Sequence, residues 1–192
     1  FWAADQGVGD HYRQTAIHHL DSVLRHILRE DGSCNHIVEF DEATGEVLAA
    51  PGGQGYGENS SWSRGQAWAI YGLALAYRYT KNTSYLNAAK QVAHYFLANI
   101  VLTDYVSLID FRAPEEPVYY DTTAAACAAC GLLEIAEWVS EYEKPLYEKS
   151  AWKIYEKLTR DFSDWNPDTD GLLQCGSAKY HRAEDRQVPI IY

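Results

Sequence analysis

The feature that most constrains the fold is an alternation of two kinds of helix along the chain. Amphipathic, charge-bearing helices open at a Tyr-x3-Ala signature, which begins at Tyr12, Tyr85 and Tyr147. The helices before the second and third signatures consist of small and apolar residues on nearly every side. A helix that is apolar all round is buried, whereas an amphipathic helix is half exposed. The sequence therefore predicts helical hairpins of roughly 60 residues, each pairing a buried helix with a half-exposed one.

Hydrophobic periodicity and capping residues predict where these helices lie. The expected helices cover about 10–29, 61–80, 84–99, 122–140 and 145–162. The segment 36–48 alternates apolar and polar residues around a turn that contains Gly45, which predicts a short β-hairpin. The predicted fold class is all-α, a toroid in which inner helices line the centre, outer helices form the skin, and one β-hairpin is inserted.

The pattern also predicts that residues 1–192 form one domain that is only part of a ring. Residues 1–5 are similar to the last turn of an inner helix, so the helix at 10–29 lacks most of its inner partner. The chain ends in an apolar run at 189–192. A closed ring of six hairpins needs roughly twice this length. We expect a C-terminal section of about half a toroid, with N-terminal inner helices and the extreme C-terminus missing.

Charge and cysteine content narrow the possible partners. The net charge of −11 argues against nucleic acid or an anionic membrane surface as a partner, and no 18-residue apolar stretch is present to span a membrane. Four Cys without a dense framework are typical of a reducing compartment, so we expect a cytoplasmic location. Cys127 and Cys130 lie in an Ala-rich run, where they are expected to be small packed residues. We expect no metal and no cofactor.

A Gly-rich loop that leads into the second predicted helix is the strongest candidate for a binding site. Arg64 falls in the first turn of that helix, where the macrodipole disfavours a cation. An anion bound at the helix end would explain it, and Trp62 and Trp68 could cover the apolar faces of a sugar ring. The alternative is an Arg that extends into solvent beside two core tryptophans.

The residues His36, Gln54 and Trp62-Ser-Arg64-Gly-Gln-Ala-Trp68, in this order and spacing, resemble the unsaturated glucuronyl hydrolases of glycoside hydrolase family 88. The resemblance extends from Phe1 to about Gly176. It implies an (α/α)6 barrel, which agrees with the hairpin repeat. It also implies a hydrolase that removes Δ4,5-unsaturated glucuronic acid from the non-reducing end of lyase-generated glycosaminoglycan oligosaccharides. In that chemistry an acid protonates C4 and water adds at C5 of the double bond.

The resemblance implies a role for each matched residue. Arg64 would bind the carboxylate of the sugar, His36 and Gln54 would hydrogen-bond ring hydroxyls or the water, and Trp62 and Trp68 would wall the subsite. Each also has a structural alternative: a hairpin cap for His36, a solvated loop for Gln54, and core packing for the tryptophans.

The segment 172–182 occupies the position that contacts the neighbouring sugar in this family. It carries Lys179, His181 and Arg182, which could meet a sulfated or otherwise anionic second sugar. A solvated basic turn in an acidic protein is the equal alternative.

None of the acidic residues in 1–192 matches the catalytic acid of the family. The carboxylates that carry catalysis in the family lie upstream of the segment that corresponds to Phe1. Asp5 and Asp10 belong to the opposite end of the barrel, and Asp121 is expected to cap a helix. Two other functions stay open: an unsaturated rhamnogalacturonyl hydrolase on the same barrel, and a non-catalytic carbohydrate-binding α/α repeat.

Overall fold

The computed structural model describes residues 1–189, and residues 190–192 of the C-terminal apolar run lie outside the described part. The α-helices are α1 (Trp2–Asp5), α2 (His11–Ser22), α3 (Ser63–Thr80), α4 (Thr83–Ile100), α5 (Thr122–Ala136) and α6 (Lys144–Asp161). An antiparallel pair of short strands, β1 (Glu39–Phe40) and β2 (Val47–Ala49), follows α2. The predicted all-α architecture with an inserted β-hairpin is confirmed.

The helices pack as hairpins around a shared core. Helices α3 and α5 lie side by side, while α4 packs on α3 and α6 packs on α5. The signature Tyr residues of α4 and α6 are buried, since Tyr85 is 1% exposed and Tyr147 is 0% exposed, whereas Tyr12 of α2 is 43% exposed. The prediction that the apolar helices are buried on every side was wrong, because Trp68 of α3 and Leu133 of α5 are exposed. Within residues 1–189 no element covers that side of the two helices.

Two predicted helices end earlier than expected. Helix α2 ends at Ser22 and is followed by a π-helical turn, Val23–Ile27. Leu28 then has an extended backbone and pairs with Cys34. Helix α5 stops at Ala136 instead of about 140, because its last turn tightens to i→i+3 hydrogen bonds such as Trp138 N–H to the Ile135 carbonyl. The indole of Trp138 donates back to the Glu134 carboxylate at 2.8 Å and closes this end.

Gly131 of α5 allows α5 to approach α3 closely. A Cβ at this position would lie 2.8 Å from Ile70 Cγ2 and 2.9 Å from the backbone nitrogen of Tyr71. We expect Gly131→Ala to lower the free energy of unfolding by about 1–3 kcal/mol, because the neighbouring backbone must move. Gly72→Ala in α3 is the control, since its Cβ would meet nothing within 4 Å and Ala favours a helix by up to about 1 kcal/mol. Equal effects of the two changes in denaturant unfolding would contradict this account.

The irregular segment 162–189 returns to the end of the bundle where α3 and α5 begin. The Cys175 carbonyl accepts a hydrogen bond from Thr122 N–H at 3.2 Å, and Tyr180 N–H donates to the Gln54 carbonyl at 2.9 Å. The segment therefore lies over the N-termini of both helices, on the same end as the Gly-rich loop.

Cys127 and Cys130 both lie on α5 with free thiols. Cys127 is half buried, and burial raises the pKa of its thiol to about 11, whereas Cys130 is exposed, which corrects the expectation that both are tightly packed. Across residues 1–189 no group of three or more His, Cys, Asp or Glu side chains is arranged to hold a metal ion. None of the helices in this range is long and apolar enough to cross a membrane.

Candidate functional site

The indole of Trp62 lies at the centre of the candidate site. Its ring centroid is 4.2 Å from the His36 ring and 5.3 Å from the Trp68 ring, and the guanidinium carbon of Arg64 lies 5.3 Å from it. Trp62 is the cap residue of α3 and pairs with Asp110 in an isolated β-bridge, which fixes the indole at the start of the helix. The structure thus brings together four of the residues that the sequence singled out.

A cavity of about 470 Å³ opens beside this cluster, between α2 and α3. His36 and Trp68 line it, together with Asn35 and a mainly aliphatic wall. Trp62 and Arg64 are each 1% exposed and are not among the residues that line it. Among the described residues that line this cavity there is no carboxylate.

The guanidinium of Arg64 binds a carboxylate of the protein itself. Its Nε and Nη2 donate to Asp121 Oδ2 at 3.1 and 2.8 Å, and Nη2 also donates to the Ser177 carbonyl. Asp121 is fully buried and caps α5 by accepting from Ala124 N–H at 3.2 Å. Burial raises the pKa of the Asp121 carboxyl, and Arg64 opposes that rise. The anion beside Arg64 is thus a carboxylate of the chain itself, whereas the sequence predicts a bound ligand there, so that prediction stays untested. The expected capping role of Asp121 is confirmed.

Gln54 connects three parts of the site. Its backbone N–H donates to His36 Nδ1 at 3.0 Å, and its side-chain Nε2 donates to the Ala178 carbonyl at 2.6 Å. Its own carbonyl accepts from Tyr180 N–H. Gln54 is half buried and tied to its neighbours, so the alternative of a solvated loop residue is excluded.

The three basic residues predicted for a second subsite have different surroundings. His181 Nε2 lies 2.5 Å from the Tyr56 carbonyl, so its ring contacts the Gly-rich loop. Arg182 pairs with Glu184 at 2.9 Å and Asp185 at 3.2 Å within its own segment. Lys179 is half buried. An anionic ligand at Arg182 would have to compete with these two carboxylates.

Asp110 is a residue of the candidate site that the sequence did not indicate. This carboxylate is 1% exposed and accepts backbone hydrogen bonds from Tyr56, Ser61 and Arg112 at 2.8–3.0 Å. A single carboxylate inside the mainly apolar run 105–111 was the available signal, because a buried acidic residue requires partners. The pairing of Arg64 with Asp121 was also missed, since 57 residues separate the two.

The packed helical hairpins and the site at the N-terminal end of α3 define the class of the protein, a helical toroid. A crystal structure of the unsaturated glucuronyl hydrolase of Bacillus sp. GL1 matches 97% of the chain with a TM-score of 0.89 and 35% identity. A Streptococcus agalactiae unsaturated glucuronyl hydrolase, solved as a complex with dGlcA-GalNAc6S, matches 98% of it with a TM-score of 0.83 and 31% identity. The matches cover 50% and 51% of those solved chains.

Curated sequences give the same assignment. The Bacillus sp. (strain GL1) unsaturated glucuronyl hydrolase is 42% identical over 184 residues, which is 94% of this chain and 48% of the relative. An unsaturated chondroitin disaccharide hydrolase of Streptococcus pyogenes serotype M1 is 33% identical over 167 residues, 85% of this chain and 42% of the relative. No protein-family model matches the chain. The chain belongs to the family of the unsaturated glucuronyl hydrolases, and it spans about half the length of these relatives.

Proposed function

We propose that the protein containing this chain is a hydrolase that removes Δ4,5-unsaturated glucuronic acid from the non-reducing end of lyase-generated glycosaminoglycan oligosaccharides. The observation that carries the proposal is the assembly of His36, Trp62, Arg64 and Trp68 beside one cavity in a chain with these relatives. Its partner is an unsaturated oligosaccharide, as in the S. agalactiae complex. The names of the relatives favour this substrate over a rhamnogalacturonide. The negative net charge and the cysteine content favour a cytoplasmic enzyme without nucleic-acid partners.

The positions of the five predicted residues suggest that they have different roles in binding the sugar. His36 and Trp68 line the cavity, so they are the proposed direct contacts with the sugar, one by hydrogen bonding and the other by covering a ring face. Gln54 and Trp62 hold the His36 ring from behind. Arg64 stays the proposed partner of the sugar carboxylate, a role it must combine with its bond to Asp121.

The proposed reaction is hydration of the C4=C5 bond. A carboxyl group protonates C4, water adds at C5, and the resulting hemiketal rearranges and releases the rest of the oligosaccharide. Because no carboxylate of the described residues lines the cavity, we infer that the acid is supplied by residues outside 1–189. Residues 1–189 would bind and orient the sugar.

The test uses the complete reading frame that contains residues 1–192 and follows the ultraviolet absorbance of the conjugated uronate. We expect the wild-type protein to consume an unsaturated chondroitin disaccharide, and His36→Ala and Trp68→Ala each to lower kcat/KM by about tenfold or more, as expected for loss of one good contact. Trp152→Ala is the matched control, because Trp152 on α6 is similarly exposed, 58% against 51% for Trp68, and lies outside the cavity. A wild-type protein that leaves the absorbance unchanged would refute the proposed activity.

A further inference from the structure

The 54–62 loop is built around the buried carboxylate of Asp110. Oδ2 accepts from Tyr56 N–H at 3.0 Å, while Oδ1 accepts from Ser61 N–H at 2.8 Å and from Arg112 N–H at 3.0 Å. Bonds from backbone N–H groups to a carboxylate are charge-assisted and hence stronger than neutral ones. The carboxylate therefore ties both ends of this loop to the strand-like segment that carries it.

The loop passes so close to Asp110 that a side chain at position 55 would force the carboxylate or the loop to move. A Cβ on Gly55 would lie 2.5 Å from Asp110 Oδ2 and 3.1 Å from Trp62 Cβ. The backbone bonds between Ser63 N–H and the Ile109 carbonyl, and between Phe111 N–H and the Ser61 carbonyl, add a second attachment. The path of the loop is thus set by Asp110 and its neighbours.

The residues that flank the tied segment are the two that hold His36. Gln54, two positions before Tyr56, donates its backbone N–H to His36 Nδ1, and Trp62, next to Ser61, packs its indole against the His36 ring. A backbone N–H can only donate, so this bond requires a lone pair on Nδ1 and places the proton of the neutral ring on Nε2. The Gly52 carbonyl, also 3.0 Å from Nδ1, would instead accept from a ring protonated there. Both groups belong to the chain that leads into the 54–62 loop, so the position of this loop sets which of them the ring engages and therefore which tautomer it adopts.

We propose that Asp110 is a positioning residue that acts through the 54–62 loop to fix the orientation and the tautomer of His36. In this arrangement His36 presents an Nε2–H donor, which suits a hydroxyl or carboxylate oxygen of the ligand. The positioning role of Asp110 rests on the proposed function only in the claim that His36 contacts the sugar. The tautomer of His36 itself can be measured without any substrate.

The test compares Asp110→Asn with Glu134→Gln in the complete reading frame. Glu134 is a matched control, because it is also a buried carboxylate but pairs with Arg78 and Trp138 at the other end of α3 and α5. Long-range ¹H–¹⁵N NMR of the His36 ring is expected to show the Nε2–H tautomer in the wild type and in Glu134→Gln. In Asp110→Asn we expect a mixture of tautomers, and a KM for the unsaturated disaccharide raised about tenfold at nearly constant kcat.

Gly55→Ala is the second variant, and it keeps the proposal testable if Asp110→Asn does not fold. Its methyl group would push the loop away from the carboxylate without removing the charge, so the same changes in the His36 spectrum and in KM are expected. A His36 spectrum that is unchanged in a folded Asp110→Asn or Gly55→Ala protein would overturn the proposal. Absence of turnover by the wild type, with the tautomer shift still present, would refute the proposed activity and leave the positioning role supported.

Discussion

Arg64→Ala is expected to lower the free energy of unfolding by about 3–5 kcal/mol, the range observed when one partner of a buried ion pair is removed. The change leaves the carboxylate of Asp121 in a site that is fully buried, and it removes the link between α3, the N-terminus of α5 and the Ser177 carbonyl. Chemical denaturation of the purified variant measures the loss. An Arg64→Ala protein as stable as the wild type would show that the pair does not hold the helices together.

Two further variants separate the ion pair from the rest of the site. Arg64→Lys keeps the charge but cannot place two donors of a planar fork on Asp121 Oδ2, so we expect an intermediate loss of stability. Asp121→Asn combined with Arg64→Met removes both charges while an Asn at the cap can still accept from Ala124 N–H. This double variant should recover part of the stability that Arg64→Ala loses, because paired buried charges are often replaceable by apolar groups.

The same series tests the proposed contact with the sugar carboxylate. If Arg64 binds it, Arg64→Ala weakens binding of an unsaturated uronate much more than Arg64→Lys does, with charge-assisted bonds contributing about 1.5–3 kcal/mol each. Binding is measured on folded protein, well below the unfolding midpoint of each variant. If the stable double variant binds the uronate as tightly as the wild type, Arg64 serves only to hold the helices.

A protein that consists of residues 1–192 alone is expected to show no hydration of a Δ4,5-uronate. The described residues that line the cavity offer His19, Asn35 and His36 but no carboxyl group that could protonate C4. The apolar side chains of α2 and of the π-helical turn after it are also incompletely covered, since Tyr12 is 43% exposed and Leu20 and Leu24 are only half buried. Each apolar side chain left in water forfeits up to about 1.5–3 kcal/mol, so we expect low stability or self-association.

Absorbance of the conjugated uronate and size-exclusion chromatography measure these two outcomes. The Bacillus sp. GL1 relative is the positive control for the assay, since it is named an unsaturated glucuronyl hydrolase. Clear turnover by monomeric protein of residues 1–192 would show that the acid lies among these residues. It would also refute our inference that catalysis depends on other parts of the protein.

Local sequence was sufficient for the helices and for much of the site. The Tyr-x3-Ala signatures located α4 and α6, because helical periodicity and capping are encoded within a few residues. The cluster of Trp62, Arg64 and Trp68 was also predictable, since one helix N-terminus carries all three. These features depend on spacing along a single element.

What could not be predicted depends on contacts between distant segments. The unusual position of Arg64 was interpreted as the mark of a bound anion, and the sequence could not show that Asp121 lies beside it, because that depends on how α5 packs against α3. The role of Asp110 was hidden for the same reason, since the backbone groups it binds at Tyr56 and Ser61 lie 54 and 49 residues away. The early end of α2 follows from the pairing of Leu28 with Cys34, which no local propensity indicates.

The return of segment 162–189 over the start of α3 has a consequence for how the protein folds. Gln54 contacts Ala178 across 124 residues of sequence, and Arg64 contacts Ser177 across 113. Contacts of such large sequence separation form late, because the closure of a long loop precedes any gain from them. During synthesis the α3–α4 hairpin is complete long before residue 178 leaves the ribosome. The buried Arg64 therefore gains two of its partners, Asp121 and Ser177, only after α3 has formed, and the candidate site is completed in the last steps of folding.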